Sequence, residues 1–177
     1  MIWILVCLCL LTGGKAVAQT ATNEYQVKAV FLFNFAQFVQ WPSEAFAGPE
    51  SPLVIGVLGD DPFGKYLDDT VRGERINNHP LVVQRYSSLK DVRACQVLFI
   101  SASESPNLQR VVDGLKSRSI LTVGDVENFS RDGGMIRFIT ENHKLRLAIN
   151  VEAAKAAHLT ISSKLLRPAR IVTAGGG

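Results

Sequence analysis

The chain has 177 residues, 47% of them hydrophobic and 20% charged, and its 19 basic and 16 acidic side chains leave a formal charge of +3. That is enough apolar material for one packed domain, and too much for a disordered or collagen-like chain. The charges are interspersed, so no basic tract points to nucleic acid as a partner.

Residues 2–11 form an uninterrupted apolar run, followed by Ala16-Val17-Ala18. This is the pattern of a secretory signal peptide with its small-residue cleavage site. Residues 1–18 are expected to leave as that peptide, with cut after Ala18, and residues 19–177 to form a single domain. The run is shorter than the ~20 residues that span a bilayer, so no stable membrane anchor is expected. Cys7 and Cys9 leave with the signal, and Cys95 is then the one cysteine of an exported chain. It cannot form an internal disulfide and is read as a buried spectator.

Residues 25–40 predict a helix. At about 100° per residue, Gln26, Asn34, Gln37 and Gln40 share one arc, while Val27, Phe31, Leu32, Phe35, Phe38 and Val39 lie opposite. Val30 and Phe33 project from within the polar arc, where water alone does not call for them. They are read, with Gln37, as a docking surface for another subunit or a receptor, or as covered by another segment of the chain.

After a Pro/Gly loop at 47–52, short β-rich runs alternate with helical patterns. Residues 53–58 predict a buried strand. Asp61 and Pro62 predict the cap and first position of a helix reaching Val71. Residues 80–84 and 97–101 predict two further strands. Ser103 opens a helix that turns Leu108, Val111, Val112 and Leu115 inward, and 120–123 is a fourth strand. Residues 135–140 and 144–150 predict an antiparallel hairpin at the sheet edge. Asn150 caps a helix through Ala157, and Ser162 or Ser163 caps a last one carrying Leu165, Leu166, Ile171 and Val172. Pro168 should kink or shorten it. The fold class is therefore α/β: a mostly parallel sheet flanked by helices on both faces, with a C-terminal antiparallel hairpin at its edge.

Such sheets bind ligands beyond the carboxyl ends of their strands. The candidates there are Asp60, Asp61 and Phe63 after the first strand, Ser101 and Glu104 after the third, and Asp125 after the fourth. Adjacent carboxylates after a first strand suit a divalent cation in receiver domains, but Ser101 stands where that chemistry needs an aspartate. No nucleotide-binding glycine loop, nucleophile elbow or zinc-protease motif is present. No catalytic set, metal site or cofactor is expected. His79, His143 and His158 are read as surface residues. Lys164, Arg167 and Arg170 recur every three residues on the last helix, either as a solvated face or as a contact for an acidic partner or anionic lipid headgroups.

Several segments together carry a resemblance. Val27-Lys28-Ala29 leads to Phe38-Val39-Gln40-Trp41-Pro42, and Val57-Leu58-Gly59-Asp60-Asp61-Pro62-Phe63-Gly64 follows. Then come Val97-Leu98-Phe99-Ile100-Ser101, Leu121-Thr122-Val123 with Asp125, Gly133-Gly134-Met135-Ile136, Ile149-Asn150 with Ala153-Ala154, and Ile161-Ser162-Ser163-Lys164-Leu165-Leu166. In this order they resemble the YfiR-like family of periplasmic regulators. The resemblance implies a small periplasmic α/β protein, often a homodimer, without enzymatic activity. It implies binding to the periplasmic sensory part of an inner-membrane diguanylate cyclase, which is held inactive so that cyclic-di-GMP synthesis and biofilm formation are restrained. The residues expected to meet that partner are Val30, Phe33, Gln37, Lys164 and Arg167. A solute-sensing module reporting to a membrane sensor kinase, through the crevice at Asp60, Asp61 and Ser101, is the alternative. Two positions depart from the family pattern: Ala148 stands where an acidic residue is usual, and Pro168 interrupts a terminal helix that is ordinarily continuous.

Overall fold

The structure is a computed structural model that describes residues 14–142, 144–173 and 175, with side chains from residue 23 onward. The apolar run assigned to the signal peptide, and His143, lie outside the described residues. Helix α1 (Gly14–Phe38) leads into β1 (Val39–Gln40), and a loop reaches β2 (Leu53–Leu58). There follow α2 (Lys65–Val71), β3 (Arg75–Ile76), β4 (His79–Tyr86), β5 (Val97–Ile100), α3 (Leu108–Leu115) and β6 (Leu121–Gly124). The chain closes with β7 (Ile136–Glu141), β8 (Lys144–Asn150), α4 (Val151–Ala156), β9 (Thr160–Ile161), α5 (Ser163–Leu166) and β10 (Arg170–Val172).

The main sheet has the order β10-β8-β7-β6-β5-β2-β4-β3. Every pairing is parallel except β8 on β7 and β3 on β4. The predicted α/β class is therefore found. The four principal strands β2, β4, β5 and β6 run in the spatial order 2-1-3-4, a doubly wound arrangement whose switch point falls between β2 and β5. Strands β2, β5 and β6 are buried at every residue, which is why they read as continuous apolar runs rather than alternating ones.

Each face of the sheet has its own core. On one, Leu32 and Phe35 of α1 and Val39 of β1 meet Ile55, Val57, Phe99 and Val123, with Leu67 of α2 and Leu165 of α5 beside them. On the other, Val111, Val112 and Leu115 of α3 pack with Phe129 on Val54, Leu98 and Ile100. Phe129 is held between Gly124 and Gly134: a Cβ at either glycine would come within 2.5 and 2.2 Å of its ring.

Several elements differ from expectation. Helix α2 begins at Lys65, one turn late, because Asp61 spends its Oδ1 on the N–H of Phe63 (2.8 Å) instead of capping a helix. The second strand runs to Tyr86 and is preceded by β3, a partner not foreseen. Their turn, Asn77-Asn78, has φ of 48° and 70°, the left-handed pair of a tight hairpin that Asn tolerates. Ser101, not Ser103, caps the 102–107 segment, which is a 3-10 turn before α3 begins.

The last helix is the largest correction. α5 stops at Leu166 because Pro168 cannot continue it, and Ile171 and Val172 lie in β10, paired parallel to β8. The β7–β8 hairpin thus sits one strand in from the edge. The repeat of Lys164, Arg167 and Arg170 is no helical face: Arg167 is the C-cap residue of α5, and Arg170 is in β10, 3.3 Å from Glu141. His79 is also not a simple surface residue. Its ring stacks on Phe46 at 4.0 Å and its Nδ1 lies 2.7 Å from the carbonyl of Ser51.

Candidate functional site

The placement of α1 follows from two attachments. At its C-terminal end, Trp41 Nε1 donates to the carbonyl of Gln96 (3.1 Å), just before β5 begins. Midway along it, Tyr25 and Lys28 reach Asp125, just after β6 ends. The helix therefore runs antiparallel to the central strands, fastened at both edges of the sheet. β1 adds an antiparallel pairing with β9, Val39 on Ile161, and the N–H of Ser162 donates to the carbonyl of Phe38 (2.9 Å).

Lys28 is the residue that sequence reasoning passed over. It lies on the buried arc of α1, and its side chain is 4% exposed. Its ammonium is 2.7 Å from Glu24 and 2.7 Å from Asp125, and sits 4.3 Å above the ring of Tyr25. Tyr25 donates its hydroxyl to the same Asp125 oxygen at 2.9 Å. Burial first, and the Asp125 charge second, push the Tyr25 phenol well above its usual range, which keeps that proton in place. The signal was available: a lysine on an apolar helix arc demands a carboxylate from elsewhere in the fold.

The six crevice residues do not form one site. Ser101 is buried, its Oγ accepting from the N–H of Ser103, and the hydroxyl of Ser103 accepts from the N–H of Asp60 (2.9 Å). Ser103 thereby fills the switch point: a Cβ on Gly59 would lie 2.3 Å from its Oγ. Asp61 Oδ2 takes the Nε of Arg85 (2.9 Å), whose other nitrogens hold Asp68 at 2.8 and 2.6 Å. The hydrogen bond from Arg85 holds the Asp68 carboxyl below the usual range. Phe63 is core, packed edge-on between Tyr25 (5.5 Å) and Phe99 (4.8 Å). Asp60 stays exposed and Glu104 half-buried, while Asp125 serves Lys28 and Tyr25. Across from Ala148, Arg137 keeps a buried Nε with no acceptor among the described residues.

The outer face of α1 is different in kind. Val30 is 49% exposed, and Val27, which the angular reading placed on the buried side, is 47% exposed. Gln37 continues this stripe and is exposed, whereas Phe33 is half-buried against the core. Lys164 lies beside the C-terminal end of the helix, its ammonium 5.3 Å from the Phe38 ring, and Arg167 is exposed next to it. Among the described residues, no helix is long and apolar enough to cross a membrane, and no group of His, Cys, Asp and Glu is arranged to hold a metal.

The fold is doubly wound α/β, with Val27 and Val30 about half exposed on the outside of its first helix. The YfiR/HmsC-like family model matches residues 25–170, and the chain belongs to that family. No curated protein matches it. The family is a regulatory, not a catalytic, one, and its periplasmic members act on cyclic-di-GMP signalling.

Proposed function

We propose that this chain is a periplasmic binding regulator that restrains an inner-membrane diguanylate cyclase by docking on its periplasmic sensory part. The outer stripe of α1, with Val27, Val30 and Gln37, flanked by Phe33 and by Lys164 and Arg167 of the α5 end, is the docking surface. The carrying observation is that two valines one turn apart stand about half exposed on a helix whose opposite face is sealed into the core. Contiguous apolar exposure of this kind marks association surfaces. The anchors at Trp41 and Lys28 support the reading, because they hold the helix rigid and so keep the ordering cost of docking low.

Val30→Asp tests it, since the residue is exposed and its replacement should change stability by no more than about 0.5 kcal/mol. Calorimetric titration against the periplasmic domain of an inner-membrane diguanylate cyclase from the same cell should show affinity falling at least about tenfold, or ~1.4 kcal/mol. Unchanged affinity would remove α1 from the interface. A variant that binds the cyclase normally but has lost self-association would assign the stripe to a homodimer instead.

A further inference from the structure

A cavity with apolar walls and buried polar groups lies at the opposite edge of the sheet from the filled switch point. It occupies about 440 Å³ between the C-terminal half of α3 and α4, over the starts of β6 and β7. That volume is within the range of small-molecule sites, about 300–1,000 Å³. Val112, Leu115, Met135 and Ala153 make its walls apolar.

Two polar groups form its floor. Thr122 is buried, and its Oγ accepts from the N–H of Met135 (3.1 Å), which leaves its hydroxyl hydrogen to point elsewhere. Asn150 is 1% exposed, and its Oδ1 is taken by the N–H of Ala153 (3.0 Å). Asn150 lines the cavity, and its amide nitrogen has no acceptor among the described residues. The floor therefore presents two unspent donors, the Asn150 amide and the Thr122 hydroxyl, beside oxygens that each already accept one backbone N–H.

The mouth carries charges of both signs. Lys116 is paired with Asp113 (2.6 Å) and Glu152 with Lys155 (3.1 Å), so each is already compensated. Arg131 and Asp132 also line the mouth, the first exposed and the second half-buried, and neither has an oppositely charged partner among the described residues. A carboxylate can accept from both floor donors and meet the Arg131 guanidinium, and the apolar walls suit an apolar body.

We propose that this cavity binds a small carboxylic acid, its carboxylate accepting from the Asn150 amide and the Thr122 hydroxyl and facing Arg131, with its hydrocarbon part between Val112, Leu115 and Met135. The site is independent of the α1 stripe, so its test does not depend on the cyclase.

Amide NMR spectra of the purified protein would be followed during titration with hexanoate, benzoate and 3-phenylpropanoate, and with hexanamide and hexylamine as uncharged and cationic controls. The acids should shift the Thr122, Met135 and Asn150 signals saturably at millimolar concentration or below, with the controls at least about tenfold weaker. Ala156→Trp, placed at an exposed helical position on the cavity wall, should abolish the shifts while leaving the rest of the spectrum native. Arg131→Gln should weaken the acids about tenfold and leave hexanamide unchanged. Absence of saturable shifts with all three acids, equal binding of hexanamide, or shifts that persist undiminished in Ala156→Trp would overturn the proposal.

Discussion

Replacing Lys28 with alanine is expected to lower the unfolding free energy by about 3–5 kcal/mol, the scale for deleting one member of a buried ion pair. The size follows from what stays behind. Asp125, whose side chain is 11% exposed, would keep only the Tyr25 hydroxyl, and the carboxylate would face an apolar helix in place of an ammonium. The fastening of α1 to the carboxyl edge of the sheet would go with it. Urea denaturation followed by far-ultraviolet circular dichroism reads this directly. The double variant Lys28→Ala, Asp125→Ala should recover part of the loss, because the uncompensated charge leaves together with its partner. A loss below about 1 kcal/mol for the single variant would mean that the cluster behaves as a surface pair, as such pairs commonly do.

Phe35→Ala should cost about as much by another route, roughly 3–5 kcal/mol, through the cavity left by a fully buried ring. Phe35 stacks on Phe138 at 5.8 Å with an interplanar angle of 24°, and Phe31 tilts against both, at 6.1 and 5.9 Å. These three rings join α1 to β7, so their loss loosens the helix from the strand carrying the hairpin. The denaturation midpoint should fall with the slope unchanged. Val30→Asp, five residues away on the opposite face, should leave that midpoint nearly where it was. Equal losses for the two variants would contradict the two-faced reading of α1.

The central strands were legible because burial on both faces writes them as branched apolar runs, as in Leu53–Leu58 and Val97–Ile100. Helix α3 was legible from the spacing of Leu108, Val111, Val112 and Leu115, all of which are buried. The two-residue strand β3 was not, since it carries too few residues for a period and is fixed by the left-handed Asn77-Asn78 turn. β10 was missed because Ile171 and Val172 suit a helix face as well as a strand. Only the parallel pairing to β8 decides between them.

The candidate site was legible to a lesser degree. Angular spacing alone marked Val30 as misplaced among glutamines, and the structure leaves it about half exposed. It put Val27 on the wrong side, because the apolar arc was drawn around the type of residue rather than around what α1 rests on. The carboxyl-edge residues were located correctly along the chain, yet Ser103 fills the space that they were to line. Their use was settled by partners distant in sequence: Asp125 by Lys28, and Asp61 by Arg85. No local pattern encodes such pairings.

The most direct test of a regulator acting through the outer stripe of α1 is the intracellular cyclic-di-GMP level in cells lacking the chain, complemented with either the wild type or Val30→Asp at matched periplasmic abundance. The account predicts that the level rises when the chain is absent, returns to normal with the wild type, and stays high with Val30→Asp. A level that does not respond to loss of the chain, or that Val30→Asp restores as fully as the wild type does, would contradict it.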